Sequence, residues 1–178
     1  MRMLVRWGAI GFVLGGIAWT VLNLVTLTQN PVTGPSAFSL VLYIVALLLS
    51  VVGVVGLHAL QKENYGLIGR GGFWVVVAFS ATSILGTVVL LSGSTALDWL
   101  VFPVGQTGIL VGFVLYGTAT LQARVLPTWY GVALIILLPV AVALGVYGTI
   151  WVGLVQLALG YVLWTRSGTA AQQSSRVR

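Results

Sequence analysis

Residues 125–165 read VLPTWYGVALIILLPVAVALGVYGTIWVGLVQLALGYVLWT, with Arg124 immediately before them and Arg166 immediately after. None of these 41 residues is charged. One helix of that length would run about 60 Å, twice the roughly 30 Å hydrocarbon core of a bilayer. Two shorter spans fit, joined around Gly145-Val146-Tyr147-Gly148, where no polar residue marks the turn. Both flanking arginines then lie on one face of the membrane. Pro139 falls inside the first span, where its missing N–H predicts a freed carbonyl near Ile135 and a kink.

Outward from this stretch the same pattern repeats. The 178-residue chain is 59% hydrophobic and 6% charged, where a soluble domain carries about 25% charged residues. Its mean hydropathy is +1.10, which describes an integral membrane protein. Apolar runs predict helices at 7–28, 38–60, 72–93, 98–122, 129–145 and 148–165. The expected fold is therefore all-α, a polytopic membrane helix bundle of six transmembrane helices. Residues 1–166 form one domain, and 167–178 are predicted to be a disordered basic cytoplasmic tail. The first connection, Gln29-Asn30-Pro31-Val32-Thr33-Gly34-Pro35-Ser36, is rich in helix breakers. Lys62 to Gly71, Ser92 to Ala96, and Leu126-Pro127-Thr128 supply the next three.

The basic residues orient this frame. Arg2, Arg6, Lys62, Arg70, Arg124, Arg166, Arg176 and Arg178 all fall at the termini or in connections two and four. Cytoplasmic loops are enriched in Lys and Arg, so both termini are expected on the cytoplasmic side of the cell membrane. Trp and Tyr favour the headgroup level. Trp7, Tyr65, Trp74, Trp129, Tyr130 and Trp164 are expected in an inner belt, and Tyr43, Trp99, Tyr147 and Trp151 near an outer one. The first apolar run, about 20 residues, exceeds the 7–15 of a signal-peptide core, so helix 1 is expected to be retained.

The 23 glycines include pairs spaced to bring backbones together in lipid. Gly11 and Gly15, Gly108 and Gly112, Thr82 and Gly86, and Ala141 and Gly145 each form a small-residue stripe, read as intramolecular packing with homodimerisation as the alternative. The ends of helices 2 and 4 share Gly, Leu and Gln: GLHALQ at 56–61 and GTATLQ at 117–122. Shared interfacial chemistry accounts for this better than tandem hairpins do. The stretches GLHALQKENYGLIGRGGF (56–73) and YGTATLQARVLPTWYGVALI (116–135) resemble a pattern in small, uncharacterised prokaryotic multipass membrane proteins. The resemblance implies a shared membrane fold and brings no activity or functional residue with it.

Several chemistries lack their residues. Without cysteine there is no thiolate nucleophile, Cys-ligated metal or disulfide. Glu63 and Asp98 are expected on opposite faces of the bilayer, too far apart for a carboxylate dyad. His58, the one histidine, has no carboxylate orienter or second metal ligand near it in sequence, and is read as interfacial with a functional role as the alternative. No charged residue lies mid-span as pumps and proton relays require. GLIGRGG at 66–72 lacks the Gly-Lys-Ser/Thr ending of a phosphate loop and is read as a flexible turn. The basic residues flank apolar runs and do not cluster with aromatics on a soluble face, so nucleic acid is not an expected partner. Neither an enzyme, a cofactor nor a metal site is expected.

The remaining mid-span polar positions are uncharged. Asn23, Ser80, Thr82, Ser83, Gln106, Thr107 and Gln156 are available, and of these Asn23, Ser83, Gln106 and Gln156 are the chosen residues. They either hold helices together by hydrogen bonds or line a polar pocket. The leading expectation is a non-catalytic accessory or structural membrane component, whose partners are the lipid bilayer and a second copy or another membrane protein. The alternative is a binder or transporter of a neutral or amphiphilic small molecule. In span count and length alone, the chain also resembles the substrate-binding subunits of energy-coupling-factor importers.

Overall fold

The computed structural model describes residues 2–29 and 34–175. It contains six α-helices: α1 (Arg2–Leu27), α2 (Ala37–Gln61), α3 (Leu67–Leu91), α4 (Thr107–Ala123), α5 (Thr128–Ala143) and α6 (Gly148–Ser175). A π-helical segment, Leu100–Gln106, leads into α4, and a 3-10 turn, Gly145–Tyr147, joins α5 to α6. Five helices are long and apolar enough to cross a membrane. The 16-residue α5 is about 24 Å long and falls short of the hydrocarbon thickness by itself.

Successive helices run antiparallel and close into a ring. The most extensive packing joins α1 to both α2 and α6; α3 packs on α4 and α4 on α5, while α2–α3 and α5–α6 complete the circuit with lighter contacts. One end of the ring carries the start of α1, the α2–α3 and α4–α5 connections and residue 166. It is called the termini end below, and the opposite end is the far end.

The ring is apolar on both sides. Ala9, Phe12, Val54, Leu57, Leu134 and Leu159 are buried inside, whereas Leu14, Ile17, Leu24, Leu48, Leu85 and Leu154 point outward, each exposed by 46–56%. A water-soluble bundle does not expose large apolar side chains on every helix. Helices apolar all round suit a hydrocarbon solvent, in which inward and outward faces differ in packing more than in polarity.

Glycine sets the closest approaches. A β-carbon on Gly8 would overlap the Gly56 Cα, and one on Gly16 would lie 2.6 Å from the Gly153 carbonyl oxygen, so α1 meets α2 and α6 backbone to backbone. The Gly11 and Gly15 stripe is occupied inside the chain: a β-carbon there would lie 2.8 Å from Gly53 N and 2.6 Å from Gln156 Oε1, respectively. The Gly108 and Gly112 stripe packs in the same way on Phe79 and Val76 of α3.

Four expectations are revised or refined. The stretch 66–72 is not a loop, because α3 begins at Leu67; Gly69 makes room for the Tyr65 ring and Gly72 for the Tyr116 backbone, so these glycines serve packing. Helix 4 is helical from Asp98, as expected, but residues 100–106 take the π form before α4. Pro103 lies in the π-helical segment, where a wider turn accommodates a residue without an N–H. Gly145 lies beyond α5 with φ +55° and belongs to the turn, so it forms no stripe with Ala141. Helix 6 runs past residue 165, its helical backbone continuing to Ser175. The turn residues Asn30-Pro31-Val32-Thr33 and the arginines at 176 and 178 lie outside the described residues.

Candidate functional site

The ring encloses a cavity of about 430 Å³, within the 300–1,000 Å³ typical of small-molecule sites. It occupies the middle and far half of the bundle. Every helix contributes: Trp19 from α1, Leu47, Ser50 and Val54 from α2, Val76 and Ser80 from α3, Ile109 and Phe113 from α4, Leu137 and Leu138 from α5, Thr149, Val152 and Gln156 from α6, with Gln106 from the π-helical segment. Val142 and Gly145 also border it, and both are exposed, which places its rim at the α5–α6 turn. No charged side chain lines it.

The composition of the helices explains why space remains here. Toward the termini end, glycine crossings and large rings close the interior: Tyr116, Tyr130 and Leu163 are fully buried there. Toward the far end, α5 stops at Ala143 and α4 is entered through the π-helical segment. Pro139 lies within α5, and near it the Trp151 indole of α6 donates to the Leu137 carbonyl oxygen at 3.1 Å. That contact ties α6 to α5 two residues before the proline, while the carbonyl that its missing N–H leaves is that of Ile135.

Two predicted residues, Gln106 and Gln156, meet at this cavity although 50 positions separate them. Gln156 is buried, and its Nε2 donates to Ser50 Oγ at 2.7 Å, while the single Ser50 proton is shared between the Ala46 carbonyl at 2.7 Å and Gln156 Oε1 at 3.1 Å. Ser50 also accepts from Trp19 Nε1 at 3.1 Å. Gln106 is half-buried, and its Nε2 donates to the Tyr43 hydroxyl at 3.1 Å. Tyr43 meets Trp19 edge-on, with ring centroids 5.5 Å apart.

The other predicted residues lie outside the cavity. Asn23, buried in α1, donates to the Val146 carbonyl and to Thr149 Oγ1 at 2.7 Å, which ties the start of α6 to α1. Ser83 is fully buried, its hydroxyl 3.5 Å from the Val101 carbonyl oxygen of the π-helical segment. His58 sits at the termini end, stacked on Phe73 at 4.0 Å and hydrogen-bonded through Nδ1 with the Tyr65 hydroxyl. Burial pushes the Tyr65 phenol up, against the opposing pull of the nearby Tyr116 hydroxyl and of the Arg70 charge. Glu63 and Asp98 fall in the connections at opposite ends of α3. No group of three His, Cys, Asp or Glu that could hold a metal occurs among the described residues.

Tyr65 and Tyr130 depart from the aromatic belt. Both are buried, and the Tyr130 hydroxyl donates to the Leu159 carbonyl at 3.4 Å. Trp7, Trp74, Trp129 and Trp164 are exposed by 44–65%, as anchors would be. Arg6 lies over the Trp164 ring, 5.4 Å from its centroid.

Sequence reading missed Ser50 and Gln61. Ser50 interrupts the run LLLSVVG in the middle of α2, and a lone hydroxyl in such a run was a signal for an interhelical partner. By sequence Gln61 closes helix 2 and matches Gln122 at the end of helix 4. The structure separates them: Gln61 is fully buried and accepts from Thr120 Oγ1 at 3.0 Å, while Gln122 is exposed. No protein-family model matches the chain, and no curated protein or solved structure matches it.

Proposed function

We infer that the protein is a non-catalytic membrane protein that binds a neutral or amphiphilic small molecule in its central cavity. The observation that carries this reading is the cavity itself: an apolar chamber between helices, free of charge, with a few polar groups from separate helices converging on it. Six crossings with both termini cytoplasmic complete the reading. The basic residues at 2, 6, 62, 70, 124 and 166 support it, because all fall at the termini end of the ring. The position of α5 between α4 and α6 supports counting it as a crossing. In this orientation the cavity rim opens toward the outer leaflet, where a membrane-dissolved ligand has access.

A second reading, an accessory or structural component acting with a partner protein, is favoured by the mutual satisfaction of Gln156, Ser50 and Trp19. Native mass spectrometry from lipid discs separates the two. A retained small molecule supports the binder, and a stoichiometric protein partner with an empty cavity supports the accessory. Orientation is tested with single cysteines on this cysteine-free background. Ser36→Cys and Ser94→Cys should react with an impermeant reagent in whole cells, while Asn64→Cys and Ser174→Cys should not; the reverse labelling would invert the assignment.

A further inference from the structure

The polar groups around the cavity fall into two sets. On the wall formed by α1, α2 and α6, Gln156, Ser50 and Trp19 bond to one another. On the facing wall, Ser80 is 3% exposed and lines the cavity, yet its hydroxyl makes no hydrogen bond to any described residue. From the π-helical segment, Gln106, which also lines the cavity, directs an N–H to Tyr43, while its carbonyl oxygen has no partner among the described residues. The two belong to one patch of wall. Ser83, close to one turn from Ser80 on α3, touches Gly105, the residue next to Gln106.

Among the described residues, the buried polar atoms without a partner are Asn23 Oδ1, Gln61 Nε2 and Tyr116 Oη, and none of these residues lines the cavity; Ser80 Oγ and Gln106 Oε1 are instead open to it, so a ligand can complete them. A hydroxyl can donate and accept, and an amide oxygen only accepts. A ligand that completes both must therefore donate to Gln106 Oε1 and exchange a hydrogen bond with Ser80. A hydroxyl-bearing head group supplies both kinds of bond. The absence of charge in the lining disfavours a carboxylate, phosphate or ammonium head, since an unpaired ion is costly in such a medium. Phe113, Leu137, Leu138 and Val152 line the remainder and suit an apolar body.

Resting on the reading of the cavity as a small-molecule site, we propose that Ser80 and Gln106 form the head-group subsite for a neutral, hydroxyl-bearing amphiphile. Gln156, which the sequence makes equivalent to Gln106, belongs instead to the framework. The subsite distinguishes an alcohol from its ether, because the ether has no proton to give to Gln106.

The test uses the full chain in lipid discs with two photoreactive probes, a twelve-carbon diazirine alcohol and its O-methyl ether. Crosslinked peptides are mapped by mass spectrometry, and labelling of cavity residues on α5 and α6 is normalised to labelling of the outward face of α1 at Leu14 and Leu24. The alcohol should label the cavity about tenfold more than the ether, the value of roughly one hydrogen bond. Ser80→Ala and Gln106→Leu should each lower the alcohol signal toward that of the ether, and Ser80→Thr, which keeps a hydroxyl, should retain it. Equal cavity labelling by both probes, unchanged in Ser80→Ala, would overturn the head-group assignment while leaving the cavity as a binding site. Labelling of the cavity no greater than that of the outward face, with either probe, would overturn the binding reading and the subsite with it.

Discussion

At the termini end of the bundle, α1 and α2 meet backbone to backbone at Gly8 and Gly56, α4 and α5 meet at Gly117 and Gly131, and buried tyrosines fill what remains. At the far end, α5 stops at Ala143, Pro103 sits in a π-helical turn and Gly145 takes a positive φ. Both ends are built from glycine, proline and large apolar residues, and only their placement differs. A glycine facing another helix removes space by letting backbones close, whereas a glycine or proline at a helix end shortens or widens the helix and leaves space. One end is therefore a seal and the other a chamber. Two kinds of position should accordingly respond to substitution in opposite ways.

The largest effect is expected in the glycine contacts around α1. Gly11→Leu or Gly15→Leu would force α1 from α2, since even a β-carbon at Gly11 would lie 2.8 Å from both Gly53 N and the Leu49 carbonyl. Overpacking of this kind costs about 1–3 kcal/mol or more. Thermal aggregation in detergent should begin well below the parent's temperature. If both variants melt with the parent, the α1 contacts do not hold the bundle together and the contrast between the ends fails.

Gly145→Ala, at the far end, should do less. Nothing lies within 4 Å of a β-carbon there, so the penalty is conformational, about 1–2 kcal/mol for a non-glycine residue at positive φ. Hydrogen exchange should rise in the α5–α6 turn and remain unchanged at the termini end. Exchange rising equally at both ends would show that the chamber and the seal are not separate cooperative units.

Helix number and position were legible because charge and apolar run length report on the solvent directly. The 41 residues between Arg124 and Arg166 required two helices of some kind, and the structure supplies α5 and α6. The start of α3 was not legible, because glycines at 69, 71 and 72 resemble a breaker by propensities measured in water. Among packed helices Gly69 and Gly72 instead admit Tyr65 and Tyr116. Pro103 was hidden within an apolar run. The site was half legible: the rarity of amides in the spans singled out Gln106 and Gln156, but which of them is fully bonded depends on Ser50, which no spacing connects to Gln156.

The smallest effects separate those two amides. Gln156→Leu removes a side chain that donates to Ser50 and shares the Ser50 proton with the Ala46 carbonyl, and interhelical hydrogen bonds in membranes average about 0.6 kcal/mol with a maximum near 1.7. Its loss should sit in the upper part of that range, because the Ser50 hydroxyl and the Trp19 indole lose the third member of their group. Gln106→Leu removes one bond, to Tyr43, at a half-buried position, and an apolar residue there also removes a carbonyl oxygen without a described partner. Its melting temperature should fall less than that of Gln156→Leu, and in ligand-free protein it should equal or exceed the parent's. The double variant should show additive effects, since no hydrogen bond links the two amides. A larger fall for Gln106→Leu than for Gln156→Leu would reverse the division into framework and subsite, moving the ligand-facing wall of the chamber from α3 and the π-helical segment to α2 and α6.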